Sequence, residues 1–296
     1  MLGSAILRQP SNSLTFLTPT HMELDLEDRN IVKNYFARNK VDAVIHAAAR
    51  VGGIQDNINF PYEYLNSNLR IDDSVLSAAR SNNVSRLIYI GSTCMYPRNL
   101  DHPMNESDIL TGELETTNEG YALAKIVGAK TVSIVAQEKG FAWRTLIPSN
   151  MYGPGDHFET GRSHLISAII LKVFEATNDD SNILKMWGDG SARREFTFVD
   201  DVAKFILDSL PKLDELPLLM NIGVGSDYSI LEFYKTICQL MKFDGEIVPD
   251  LSKPEGMKSK LCDSSLARAY GWKPSTTIEQ GLLQTIDYFQ TEMSAK

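Results

Sequence analysis

The sequence is short of cysteine, of positive charge and of long apolar runs, and each shortage closes off a class of protein. Its three cysteines, Cys94, Cys238 and Cys262, are odd in number and widely spaced. That pattern argues against a disulfide framework and against a thiolate metal site, and a reduced compartment is expected. The formal net charge of -9 argues against a nucleic-acid partner, because such affinity rests on Lys and Arg neutralising phosphates. The best apolar stretch, Leu165 to Phe174, contains Lys172 and falls short of the ~20 residues a membrane helix needs. No signal-peptide pattern opens the chain, so the expected address is the cytoplasm. Repeats and low-complexity tracts are also missing.

What is present is ordinary globular material. The 296 residues are 43% hydrophobic and 23% charged, enough for one large domain or two coupled ones. Short β-rich runs at Leu14–Thr18, Ala43–Ala47, Arg86–Ile90 and Ala142–Ile147 alternate with helical patterns at Asp28–Arg38, Pro61–Asn82 and Gly120–Lys139. Strand–helix alternation with doubly buried strands predicts an α/β fold with a doubly wound, parallel, Rossmann-type sheet. Beyond Asn150 the regularity loosens: helical patterns at Ser163–Ala176, Val199–Leu210 and Ser229–Met241 are separated by Gly- and Pro-containing loops. The expected division is a dinucleotide-binding half, residues 1–150, and a mainly substrate-binding α/β half, residues 151–296, with some segments returning to the first.

Tyr121 and Lys125 are four residues apart in a predicted helix, so both side chains share a face. A phenol normally titrates near ~10, and a neighbouring ammonium favours the phenolate. Tyr121 can then exchange a proton with a carbonyl or alcohol oxygen while a hydride moves to or from the carbon. Ser92, just past the Arg86–Ile90 run, would hydrogen-bond the same oxygen. Taken alone, the spacing suits a surface Tyr and Lys equally well.

Three segments, Gly91-Ser92-Thr93-Cys94-Met95-Tyr96-Pro97, Tyr121-Ala122-Leu123-Ala124-Lys125 and Pro148-Ser149-Asn150-Met151-Tyr152-Gly153-Pro154, carry a wider likeness. The chain resembles the extended short-chain dehydrogenase/reductases. Within them it is similar to the GDP-sugar 3,5-epimerase/4-reductases that act on GDP-4-keto-6-deoxy-D-mannose. His46 to Ile54, Arg194-Glu195-Phe196, Val199-Asp200-Asp201 and Gly271-Trp272 extend the likeness, which runs from Met1 to about Gln290.

The resemblance implies NADP, as NADPH, for the cofactor and a GDP-sugar for the substrate. It implies Ser92, Tyr121 and Lys125 for reduction at C4, with Cys94 as base and His164 as acid for epimerisation at C3 and C5. Protons beside a ketone are acidic, and inversion needs one group to take the proton and another to return it on the opposite face. Outside the resemblance, Cys94 would read as packing and His164 as structural. Cofactor contacts are implied at Gly3, Asp25, Leu26, Ala47, Ala48, Ala49, Lys125 and His164. Asn150, Trp187, Arg194 and Lys260 are implied for the substrate, the last two as cations for its diphosphate. No metal is implied, and a homodimer through the Pro61–Asn82 and Tyr121 helices is.

Three departures from the family stand out. An opening strand and glycine-rich turn are expected before the first helix, yet Met1 to Ala5 already reads as that helix's first turn, with Gly3 as the last glycine of the motif. A start at an internal methionine and a degenerate copy are the competing readings. Pro19 falls where an arginine for the 2′-phosphate is often placed, leaving NAD against NADP open. Arg162 stands before Ser163-His164 where the family has a neutral residue. Other readings therefore stay open: a related nucleotide-sugar 4-epimerase or dehydratase, a GDP-colitose synthase, or a catalytically silent binding subunit.

Overall fold

Local signals set the first elements of the computed structural model, which describes residues 1–11, 14–159, 163–179, 181–252 and 257–294. After a short helix α1 (Leu2–Arg8), the carboxylate of Asp28 accepts from the Asn30 and Ile31 amides and starts α2 (Arg29–Arg38), as an N-cap should. Strand β1 (Ala43–His46) leads through α3 (Ile54–Asn59) into α4 (Pro61–Ser81), which has a proline in its first turn, where a missing N–H costs nothing. Strand β2 (Arg86–Ile90) is followed by α5 (Glu119–Lys139), which ends at Gly140 with φ of 67°, a left-handed cap that suits glycine.

The remaining strands are β3 (Ala142–Pro148), β4 (Asn150–Tyr152), β5 (Ile183–Trp187), β6 (Arg193–Arg194), β7 (Phe196–Phe198), β8 (Leu219–Ile222), β9 (Tyr228–Ser229), β10 (Glu246–Asp250) and β11 (Ser259–Lys260). The helices that accompany them are α6 (Leu165–Asn178), α7 (Val199–Ser209), α8 (Ile230–Met241), α9 (Ser265–Ala269) and α10 (Ile278–Ser294).

The main sheet is parallel throughout, in the order β1-β2-β3-β8. Its two faces bury separate cores. One holds Leu87, Tyr89 and Trp143 against residues of α2, α4 and α5; the other holds Ile88, Ile90 and Leu146 against α1, α7 and Trp272. Doubly buried parallel strands require this arrangement. A third core, built on Tyr152, Phe196, Phe233 and Phe289, joins α6, α8 and α10. Thus α7 and β8, although late in the chain, belong to the main sheet.

The expected strand Leu14–Thr18 does not form: the segment is irregular, with Leu14 and Leu17 exposed. A strand is held by ladder hydrogen bonds, and among the described residues none pairs with this run. Its β-prone composition therefore has nothing to act through. The other three predicted strands are present, with shifts of one residue at their ends. Arg162 and residues 253–256 lie outside the described residues.

Candidate active site

Ser92 sits one residue past the C-terminal end of β2 and its neighbour Gly91. A Cβ on Gly91 would lie 3.0 Å from Ile147 and 3.2 Å from the Met95 sulfur, so the strand exit is tightly packed and any larger residue would press on these side chains. The Ser92 hydroxyl accepts from the Cys94 amide at 3.2 Å and caps a single 3-10 turn, Thr93–Met95. Ser92 also lies near enough to the Tyr121 phenol to act on its titration.

Lys125 behaves differently from expectation. Its ammonium is buried, donates to the Ile90 carbonyl at 2.9 Å and lies 4.5 Å from the centre of the Tyr89 ring. Burial pulls its pKa down, and the Asp72 charge opposes that pull. The Tyr121 phenol, for its part, is raised above its ordinary range, chiefly by burial and then by Cys94; the Ser92 hydrogen bond works in the other direction. A phenol eased toward phenolate by Lys125 is therefore not what this arrangement presents. Helix geometry shares the face correctly, but the lysine's long stem carries the charge past the phenol to the strand beneath.

Sequence reading missed the group that receives it. Asp72, on α4, accepts from the Tyr89 hydroxyl at 2.6 Å and bonds His46 Nε2 at 2.9 Å, with all three side chains buried. Burial pushes the Asp72 carboxyl up, but the His46 hydrogen bond and the Lys125 charge outweigh it, and the net direction is down. Gly128 on α5 makes room: a Cβ there would stand 2.2 Å from the Tyr89 oxygen and 2.6 Å from Asp72 Oδ2. An acidic residue on the inward face of an otherwise amphipathic helix was the available signal.

Cys94 is only partly buried. Its sulfur accepts from the Asn118 amide at 3.1 Å, and Lys260 Nζ stands 3.9 Å away. Lys260 is opposite Arg194 in the parallel β6–β11 pair, so the two cations share one short strand pair. The buried Glu195 ties this region together by accepting from the Gly225 and Cys262 amides. Asn150, on β4, pairs with Phe196 of β7.

His164 caps the start of α6, with a side chain 40% exposed and Nδ1 4.0 Å from the Asp156 carboxylate. That nitrogen is itself enclosed and has no hydrogen-bond partner. Asp156 is buried and accepts from Ser167 and from the His157 amide. Trp187 ends β5, 41% exposed, with Lys172 Nζ 5.4 Å from its ring centre. Among the described residues no hydrogen bond or ion pair joins His164 or Trp187 to Ser92, Cys94 or Tyr121. The structure brings Ser92, Cys94, Tyr121 and Lys260 together, while His164 and Trp187 stand at the ends of α6 and β5, elements that build the third core.

At the other end, Gly3 lies in the first turn of α1 with open space where a Cβ would stand. Ala47, Ala48 and Ala49 follow β1, Ala48 exposed. Asp25 accepts from the Glu27 amide at 2.9 Å, and Leu26 packs against the first core.

The family model for NAD dependent epimerases/dehydratases matches residues 4–223. The chain is 42% identical to a GDP-L-colitose synthase of Yersinia pseudotuberculosis, over 99% of this chain and 96% of that one. It is also 42% identical to a GDP-L-fucose synthase of Azorhizobium caulinodans, over 93% and 88% of the two chains. Its fold matches a GDP-mannoheptose C4 reductase from Campylobacter jejuni with NADP bound, at a TM-score of 0.87 and 26% identity, covering 98% and 95%.

Proposed function

Because the chain belongs to the NAD dependent epimerase/dehydratase family, we propose that it converts GDP-4-keto-6-deoxy-D-mannose to GDP-L-fucose. The conversion is 3,5-epimerisation followed by NADPH-dependent reduction at C4. The observation that carries the proposal is the meeting of two functions around one turn: Ser92 and Cys94, two residues apart and joined by the hydrogen bond from the Cys94 amide to Ser92, both lie close enough to Tyr121 to act on its phenol.

The residues present suit a nicotinamide cofactor. Gly3 leaves open space, Ala47 to Ala49 put only methyl groups beyond the end of β1, and Lys125 supplies a buried cation beneath the site. When bound, NADPH supplies the hydride for C4. Tyr121 gives its proton to O4 while Ser92 donates a hydrogen bond to the same atom. A phenol kept high by burial holds that proton until an alkoxide forms. Cys94 takes the protons at C3 and C5, and His164, whose Nδ1 lies 4.0 Å from the Asp156 carboxylate, returns protons on the opposite face. Arg194 and Lys260 offset the diphosphate charge, while Asn150 and Trp187 orient the sugar. The division of labour near residue 150, a homodimeric state and a cytoplasmic address belong to the same proposal; no helix among the described residues is long and apolar enough to cross a membrane.

A second reading is favoured by the relative from Yersinia pseudotuberculosis: a product of the GDP-L-colitose type. Colitose lacks the 3-hydroxyl of fucose, so C3 bears no stereocentre and only C5 need be inverted. Turnover in D2O with NADPH separates the readings. The fucose reading expects deuterium at both C3 and C5 and one NADPH oxidised per sugar; preference for the 3-deoxy keto sugar favours the second. Reduction with no deuterium uptake defeats both.

A further inference from the structure

We propose that Asn118 is the positioning residue of the epimerisation base, holding the Cys94 sulfur as a thiolate with help from Lys260. The inference rests on the epimerase reading above and names a residue which that reading did not use.

Asn118 occupies the N-cap position of α5, where an asparagine ordinarily turns its carbonyl oxygen to the amides of the first helical turn. Here it makes no such bond. Its Oδ1 is enclosed and unpartnered, while its Nδ2 donates to Cys94 Sγ at 3.1 Å. The residue has given up a cap worth about 1 kcal/mol and left a buried acceptor unsatisfied, both in favour of one contact to sulfur. A side-chain amide nitrogen can only donate, and a thiol sulfur is a weak acceptor. A thiolate is a good one, and a donor fixed beside it favours the ionised form.

Lys260 adds a cation 3.9 Å from the same sulfur. The groups that face Cys94 come from three elements: Asn118 and Tyr121 from α5 and its cap, Ser92 from the strand exit, and Lys260 from β11. Among the described hydrogen bonds and ion pairs, no carboxylate meets the sulfur.

The chemistry balances with no redox change. The thiolate takes the C–H proton to become a thiol, and the electron pair moves onto the ketone oxygen as an enolate. His164 then gives a proton to the opposite face and is left neutral. Solvent carries the proton from sulfur back to imidazole before the next inversion.

The cofactor-free enzyme tests this through the iodoacetamide alkylation rate of Cys94 against pH. Cys238 and Cys262 interfere little, since both are buried; burial pushes the Cys238 thiol up to about 11 and Cys262 well above its ordinary range. Asn118→Ser keeps a good helix cap but cannot reach the sulfur. It is expected to move the midpoint of the alkylation profile upward by about half to one pH unit, and Asn118→Asp further. With substrate in D2O, deuterium uptake at C3 and C5 should fall about tenfold more than the C4 reduction of already epimerised 4-keto sugar. Lys260→Met should move the alkylation midpoint in the same direction. An unmoved midpoint in both Asn118 variants overturns the proposal. So does a downward shift, which would mean that the amide carbonyl faces a thiol. Because alkylation needs no sugar, a wrong substrate leaves this readout intact; should Asn118→Ser fail to fold, Asn118→Asp still decides.

Discussion

Two polar clusters flank Tyr121, and they are built on opposite principles. Beneath it, His46, Asp72, Tyr89 and Lys125 are all buried, and the Asp72 oxygens and the Lys125 ammonium each have a partner. Above it, Cys94 and Asn118 stand part-exposed, and one enclosed atom, Asn118 Oδ1, has no hydrogen-bond partner. A buried polar network that is fully satisfied rigidifies its surroundings, whereas unsatisfied buried groups carry a free-energy cost. The lower cluster is a platform. The upper one keeps hydrogen-bonding capacity in reserve for a ligand.

The largest expected effect falls on the boundary between them. Tyr121→Phe should lower the rate of C4 reduction by about 10²–10⁴-fold yet leave the melting temperature nearly unchanged, because only the hydroxyl on the open side is removed. A large loss of stability would place Tyr121 with the platform instead. Asp72→Ala attacks the platform itself, leaving the Lys125 charge without its opposite. The expected cost is about 3–5 kcal/mol in urea denaturation, with reduction falling in step with the folded fraction. Gly128→Ala presses on the same cluster from α5 and should cost about 1–3 kcal/mol through overpacking. Should it prove neutral, the cluster has slack that its contacts do not suggest.

A smaller effect concerns pH. The Asp72 carboxyl titrates below its ordinary value in the folded protein. Its contribution is therefore complete above about pH 4, where the unfolded carboxyl is ionised, and is lost as pH falls through the folded value. Stability of the wild type should decline more steeply below pH 4 than that of Asp72→Asn. Parallel curves would mean that the His46 and Lys125 interactions do not hold Asp72 ionised.

The two clusters were also unequally legible. The parallel sheet, Ser92 at a strand exit and Tyr121 on a helix could be read from sequence, because hydrophobic period and strand ends are local properties, whereas Cys94 stood out only through the family resemblance. Asp72 and Asn118 could not. Each acts on a partner that only tertiary packing supplies: Asp72 on His46 and Tyr89, Asn118 on Cys94. The spacing of Tyr121 and Lys125 placed both on one helix face correctly yet misjudged where the ammonium goes, since periodicity fixes Cβ directions and not the end of a four-carbon stem. Leu14–Thr18 failed for the converse reason: local β preference was present, and a ladder partner among the described residues was not.

The contact between Lys260 and Cys94 spans 166 positions of sequence. Contacts that close such long loops are entropically late in folding, and synthesis delivers the chain from its N-terminal end. The turn carrying Ser92 and Cys94 can form as soon as β2 joins its neighbours, but its cation arrives only with the last strand. A nascent or refolding chain should thus regain its sheet, followed by circular dichroism, before Cys94 acquires its native alkylation rate. On the proposed reading, the order in which the polypeptide is assembled delays activation of this thiol until the fold is complete.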